Sequence, residues 1–282
     1  MEIIKTIPEM KDYSKKLRKA HKLIGLVPTM GYLHEGHLSL VKRSCEENDE
    51  TVVSIFVNPT QFGTGEDIAS YPRDLERDSN MLKNYAQVVF TPEAEEMYPK
   101  NFSTFINVEH LTENLCGRFR PGHFRGVATV VAKLFNIVSP SKAYFGKKDY
   151  QQFRVIERMV KDLNLDIDVV PCEIVREPSG LALSSRNVYL SDREKGDAVV
   201  IHRSLVKGKE MIQKGERNPH KIIQHIQELL QSKGSLKKID YVSVVDSLTL
   251  EDVKEISGNV VILTAAYFGR ARLIDNIEVN LT

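Results

Sequence analysis

The sequence has no tryptophan, only three cysteines and no excess of either charge, with 39 Lys and Arg against 38 Asp and Glu for a net charge of +1. Each scarcity excludes something. A chain this close to neutral has no global field to hold a nucleic-acid backbone by counterion release, so any anion it binds is bound at a local site. Cys45, Cys116 and Cys172 are odd in number and widely spaced. They make neither a C-x-x-C pair nor a disulfide framework and read as reduced, structural thiols. No apolar run reaches membrane-spanning length, and the start, MEIIKTIPEMKDYSKK, lacks the apolar core of a signal peptide. A cytoplasmic chain with no membrane or nucleic-acid partner is the expectation.

What is present is ordinary in amount and informative in order. Hydrophobic residues make up 41% and charged residues 27% of 282 positions, values typical of globular domains and a length that suits one large α/β domain plus a smaller unit. Leu23–Pro28 is a short apolar run without strict alternation, as a buried parallel strand requires, and a turn-rich stretch leads from it to an amphipathic helix over Gly36–Asn48. Thr51–Val57 predicts a second strand, Pro72–Tyr85 a helix and Gln87–Phe90 a third strand. Further on, Gly126–Val138 reads as a buried helix, Ala143–Phe145 as a strand, Tyr150–Asn164 as an amphipathic helix and Asp166–Val175 as a strand. Such alternation implies a doubly wound parallel sheet with right-handed crossovers. After Arg176 the pattern changes to a helix over about Asp192–Lys214, another over Pro219–Lys233, and strands at Ile239–Asp246, Val260–Phe268 and Arg272–Val279. The expected division is a domain over residues 1–176 and a smaller α+β domain over 177–282, with two helices and a small antiparallel sheet.

Four motifs sit where chemistry is expected, beyond the carboxyl ends of parallel strands or in the loop at the domain boundary. PTMGYLHEGH, Pro28–His37, joins the first strand to the first helix. Free N–H groups at a helix start suit phosphate, and Gly31 and Gly36 leave room for it to approach. His34 and His37 flank that start; a shared metal ion or two incidental surface histidines are the competing readings, although zinc-protease spacing is one residue longer. FVNPTQF offers the neutral amides Asn58 and Gln61, suited to a small polar acid, or simply an Asn-Pro turn. FGKKDYQQF brings Lys148 for phosphate, Asp149 for ribose hydroxyls and Gln152 one helical turn on, or else is a solvated helix start. GLALSSRN places Ser184, Ser185 and Arg186 together as phosphate ligands often are, or forms a linker. A fifth stretch, RPGHFRGVATVV, is either an anion-handling loop carrying Arg120, His123 and Arg125 or ordinary turn chemistry.

Taken in order, LVPTMGYLHEGH, SIFVNPTQF, RPGHFRGV, FGKKDYQQ, LALSSRN and ARLIDN resemble the pantothenate synthetase family almost end to end, with His34-Glu35-Gly36-His37 similar to the signature of the HIGH-type nucleotidyltransferases. The resemblance implies a Rossmann-type amino-terminal domain, a smaller carboxy-terminal lid and a homodimer. It implies the ATP-dependent joining of pantoate to β-alanine through a pantoyl-adenylate, with AMP and pyrophosphate released. His34, His37, Asn58, Lys148 and Arg186 would be the catalytic set. ATP would meet Met30, His34, His37, Gly146, Lys148, Asp149, Val175, Leu183, Ser184, Ser185 and Arg186; pantoate would meet Met30, Gln61 and Gln152. Three departures from relatives stand out: Lys147 where Glu is frequent, Arg77-Asp78 where some have two adjacent acids, and Leu183 in place of Met.

Pantoate's carboxylate is ionised at neutral pH, so its attack on the α-phosphorus needs no base, and the difficulty is charge repulsion. Cations and Mg²⁺ carried by the triphosphate are the expected remedy, since no protein carboxylate cage is evident. No single residue stands out as the base for β-alanine. A nucleotidyltransferase acting on a phosphorylated alcohol and a nucleotide-sensing module are the alternatives; the neutral amides argue against a second phosphate.

Overall fold

The computed structural model describes residues 1–63 and 65–281, and the chain divides into two compact units. The first comprises Met1–Glu109, Arg120–Lys147 and Gln152–Glu173; the second comprises His110–Phe119, Lys148–Gln151 and the chain from Ile174 onward.

The first unit is built on six strands: β1 (Glu2–Ile4), β2 (Ile24–Thr29), β3 (Glu50–Ile55), β4 (Val88–Phe90), β5 (Lys142–Gly146) and β6 (Asp168–Cys172). All pair in parallel, in the order β1-β4-β3-β2-β5-β6. Strands β2, β3 and β4 are almost wholly buried, which explains their continuous apolar sequence. Between the strands lie α1 (Ile7–Lys19), α2 (Glu35–Glu47), α3 (Leu75–Leu82), the short α4 (Ala94–Met97), α6 (His123–Val138) and most of α7 (Tyr150–Asp162). Two apolar clusters fill this unit. One gathers Met10 of α1 and the buried side of α6, and the other gathers Leu38 and Val41 of α2 with Val27, Val53 and Tyr144. Helix α6 is buried nearly all round, as its mainly apolar sequence requires.

The second unit carries α5 (Leu115–Phe119), α8 (Asp192–Ala198), α9 (Val200–Gln213), α10 (Pro219–Gln231) and an antiparallel sheet of β7 (Leu236–Asp246), β8 (Val260–Phe268) and β9 (Ala271–Val279). The expected doubly wound sheet and small α+β unit are both found, together with elements that the sequence pattern does not reveal. Strand β1 is only three residues with two of them exposed, too short to show a pattern. Helix α1 follows it, capped by the Thr6 side chain, which accepts from the Glu9 N–H. The single helix expected over Asp192–Lys214 is two, with Val199 between them. Val199 itself keeps helical dihedrals, φ −55° and ψ −26°, and Ala198, Val199, Val200 and Ile201 are all buried.

Helix α2 lies against β2 and β5, and its fit is close. A Cβ at Gly25 of β2 would overlap Ser44 Oγ and come within 2.6 Å of Asn48 Nδ2. At its end Glu47 accepts from Arg43 Nε at 2.8 Å, Lys142 Nζ at 3.1 Å and the Tyr144 hydroxyl at 3.0 Å. The bond from Arg43, with help from Lys142 and Tyr144, holds the Glu47 carboxyl down to about 2, from an ordinary value of 4.5. Because the folded value is the lower one, this stabilisation is complete above about pH 4.5 and is lost as pH falls toward about 2. Two outcomes follow for urea denaturation. Gly25→Ala should lose about 1–3 kcal/mol through overpacking. Glu47→Gln should narrow the difference in stability between about pH 6 and about pH 3 relative to the unsubstituted protein.

Candidate active site

In an open parallel sheet, ligands bind outside the carboxyl ends of the strands where the strand order reverses. Here the order turns at β2, which pairs with β3 on one side and β5 on the other. From β2 the chain runs through Met30 and then two residues in the left-handed region, Gly31 at φ 82° and Tyr32 at φ 50°, before His34 begins α2. His34 is the N-cap: its Nδ1 accepts from the Gly36 N–H at 3.1 Å, while its own N–H donates to His37 Nδ1 at 3.3 Å. The reciprocal bonds form a capping box from two imidazoles, with ring centroids 4.0 Å apart. Because both Nδ1 atoms accept, each neutral ring carries its proton on Nε2.

The loop ahead of His34 is pinned from α3. Asp78, fully buried, accepts the Tyr32 N–H on one oxygen at 2.6 Å and the Leu33 N–H on the other at 2.8 Å. Burial pushes its carboxyl up from the ordinary value, opposed by those two N–H donors and by Arg77. Arg77 donates to the Leu33 carbonyl at 2.9 Å and lies 3.3 Å from Asp78 Oδ1.

Beyond β3, a single 3₁₀ turn at Pro59–Gln61 holds the amide pair. Asn58 is buried and spends its side chain inside the protein. Its Nδ2 donates to Gln61 Oε1 at 3.0 Å and to the Gly126 carbonyl at 3.1 Å, and its Oδ1 accepts from the hydroxyls of Tyr98 at 2.8 Å and Thr60 at 2.9 Å. Gln61, turned by that bond, donates from Nε2 to Met30 Sδ at 3.1 Å. Two residues expected near a small acid are thus neighbours, and Asn58 orients one of them. Gly126 is required here, because a Cβ on it would overlap the Thr60 carbonyl and lie 2.6 Å from the Gln61 N–H. His123 and Arg120, readable from sequence either as an anion loop or as a turn, support the same turn. His123 Nδ1 lies 2.9 Å from the Gln61 carbonyl oxygen, and Arg120 pairs with Glu66 at 2.6 Å. Arg125 instead stacks on Phe105, 3.8 Å from the ring centroid.

Strand β5 ends at Gly146, where a Cβ would meet open space, so the backbone is approachable there. Lys147 pairs with Glu173, just past β6, at 2.7 Å. Gln152 lies in the first turn of α7, half-buried.

Within the second unit, Lys148 lies 3.8 Å from Asp149, and the Lys148 carbonyl accepts from Asn276 Nδ2 at 3.0 Å. Residues 175–183 fold back on themselves: the Leu183 N–H donates to the Val175 carbonyl at 3.0 Å, and Arg176 pairs with both oxygens of Asp275 at 2.7 and 3.0 Å while donating to the Gly180 carbonyl at 3.2 Å. Ser184 then caps a 3₁₀ turn over Ser185–Tyr189, its hydroxyl accepting from the Arg186 N–H at 3.3 Å. Lys148, Ser184 and Asp275 line one small cavity with Leu181, Ala182 and Leu273. This grouping brings Lys148 and Ser184 to one cavity wall. Arg176, which holds Asp275, carries no signal in the sequence that marks it out, and Asn276, which holds the Lys148 carbonyl, is marked there only as the end of ARLIDN.

Comparison with known proteins agrees with the geometry. The model of the family described as pantoate-beta-alanine ligase matches residues 2–278. A pantothenate synthetase of Pseudothermotoga lettingae is 59% identical over 277 residues, covering 98% of each chain. The crystal structure of pantothenate synthetase from Thermus thermophilus superposes with a TM-score of 0.93 at 44% identity over the whole of both chains. Pantoate-beta-alanine ligase from Francisella tularensis, in complex with beta-gamma ATP and beta-alanine, gives a TM-score of 0.80 at 35% identity and covers 98% of this chain and 97% of that one.

The buried amide at position 58 is open to a direct check. Asn58→Asp would set a carboxylate oxygen against Gln61 Oε1 and the Gly126 carbonyl, which now receive its two N–H bonds. The variant should lose about 3 kcal/mol or more in chemical denaturation, since a buried charged group is left facing acceptors.

Proposed function

We propose, from the premise that this chain belongs to the pantoate-beta-alanine ligase family, that it spends ATP to activate pantoate as an acyl-adenylate and passes the acyl group to β-alanine, releasing AMP and pyrophosphate. The enzyme is a ligase making pantothenate. One observation carries the reading: a family match over nearly the full length, with the chemistry-bearing motifs of the first unit at the carboxyl ends of adjacent parallel strands.

The pantoate carboxylate attacks the α-phosphorus of ATP and pyrophosphate leaves; the carboxylate is already ionised, so no proton has to be moved. What the protein supplies is charge compensation. We assign His34 and His37 to the phosphates through Nε2–H, because their Nδ1 atoms are already acceptors within the helix cap. Lys148, Ser184, Ser185 and Arg186 are assigned to the phosphates, Gly146 and Asp149 to the ribose, Val175 and Leu183 to the adenine. Met30 touches both nucleotide and pantoate, and Gln61 and Gln152 bind pantoate by neutral amides, which hold an anion without attracting the polyphosphate into its place. Asn58 acts through Gln61, as its bonds support. In the second step the β-alanine amine attacks the acyl carbon, AMP leaves, and the amine proton is lost to solvent or to a group we do not name.

ATP is assigned as its Mg²⁺ complex, the ion being held by the triphosphate and water. The donors of the candidate site, imidazole N–H, ammonium and guanidinium, suit an anion that brings its own metal. Bound there, Mg²⁺ would lower the charge on the departing pyrophosphate. Residues 1–176 are the nucleotide- and pantoate-binding domain in this reading, and 177–282 the lid. The resemblance also supports a homodimer in the cytoplasm; among the described residues no helix is long and apolar enough to cross a membrane.

The test is pyrophosphate release from ATP and Mg²⁺ that depends on pantoate, followed by pantothenate formation on adding β-alanine. Release with a phosphorylated alcohol in place of pantoate would instead support the nucleotidyltransferase alternative. His37→Ala and Lys148→Ala should each slow adenylation by about tenfold or more. Gln61→Ala should raise the KM for pantoate and leave that for ATP nearly unchanged.

A further inference from the structure

In the turn before α2, where Gly31 and Tyr32 both have positive φ, the Tyr32 and Leu33 N–H groups converge on one point, as backbone donors in turns do where they bind anions. Here the pair is already filled from within the chain, because the Asp78 carboxylate takes one N–H on each oxygen, at 2.6 Å from Tyr32 and 2.8 Å from Leu33. Arg77 holds the next peptide group, Leu33–His34, through the Leu33 carbonyl at 2.9 Å, and its guanidinium lies 4.9 Å from the Tyr32 ring centroid. A Cβ at Gly31 would press on Asp78 Oδ2 at 3.1 Å and on Ile55 at 3.0 Å, so the loop and the carboxylate fit only with glycine there. Tyr32 is held in a backbone region that costs a non-glycine residue about 1 kcal/mol or more, and it stays there because this cluster over-determines it. The peptide group that Arg77 holds carries the His34 N–H, which donates to His37 Nδ1 and so sets its tautomer.

We propose that Asp78, backed by Arg77, is a positioning residue for adenylation: by holding the Tyr32 and Leu33 N–H groups it fixes the backbone of His34, and so the aim and tautomer of both histidines, without touching substrate. This deepens the assignment of those histidines to ATP and rests on it. In this chain the acid at position 78 is occupied by backbone N–H groups, and its neighbour at position 77 is an arginine.

Asp78→Asn is the informative substitution, because its volume is unchanged while one of the two N–H groups then faces an NH₂. Adenylation turnover should fall about tenfold to a hundredfold, as small misplacements of catalytic groups do, with the KM for pantoate changed by less than about threefold. In protein labelled with ¹⁵N-histidine, the signals of His34 and His37, assigned by single substitutions, should shift from the Nε2–H tautomer toward a mixture. A residue that served stability alone would lower the melting temperature and leave the tautomers and the turnover of the folded fraction as they were. If Asp78→Asn does not fold, Arg77→Gln carries the test with a smaller change of the same kind, about threefold. Normal turnover and unchanged tautomers in a folded variant would overturn the positioning role. Absence of pantoate-dependent pyrophosphate release in the unsubstituted protein would instead overturn the function on which it rests.

Discussion

The parallel pairing of β2 with β3 on one side and β5 on the other is the constraint from which the rest of the first unit follows. Parallel strands must all release the chain at the same edge, so the segments after Thr29, Ile55 and Gly146 emerge side by side however far apart they lie in sequence. That edge is also where α2 presents its amino terminus. Its position depends on a glycine that lets the helix close on β2 and on a carboxylate, Glu47, that ties the far end to β5. The chemistry sits on loops, but the loops are aimed by a rigid sheet.

The polar groups of this edge divide into two kinds. Some turn inward and are wholly occupied by protein: Asn58 with its bonds to Gln61, Gly126, Thr60 and Tyr98, and Asp78 with its two backbone N–H groups. Others, Gln61 and the paired imidazoles, are oriented by the first kind. Burying polar groups costs free energy unless every one is bonded, and the return is a fixed direction for the groups they hold. A chemistry that depends on charge compensation more than on proton transfer gains most from fixed donors, because donors that need no reorganisation stabilise developing charge best.

Much of this was legible in the sequence, for identifiable reasons. The buried strands β2 and β3 announce themselves as apolar runs, and glycine-rich or Asn-Pro segments after them mark the loops. The motifs PTMGYLHEGH, FVNPTQF and FGKKDYQQF therefore fall at the ends of β2, β3 and β5 in the structure as in the reading. What was not legible is whatever depends on contacts distant in sequence. Asp78 lies 45 positions from Leu33, and the sequence marks it only through its unusual neighbour Arg77, with nothing to tell what it holds. Gly126 resembles a poor helix residue until the Thr60 carbonyl is seen against it. Likewise the grouping of Asn276 with Lys148, and of Asp275 with Arg176, exists only once β9 is in place.

At the centre of the account is direct attack of an already ionised carboxylate on the α-phosphorus of ATP, with the protein supplying aimed hydrogen-bond donors and positive charge and no base. Turnover of pantoate carrying ¹⁸O in both carboxylate oxygens measures this most directly. One labelled oxygen should appear in AMP and the other should remain in the amide carbonyl of pantothenate. Unlabelled AMP, or label recovered in inorganic phosphate, would contradict it.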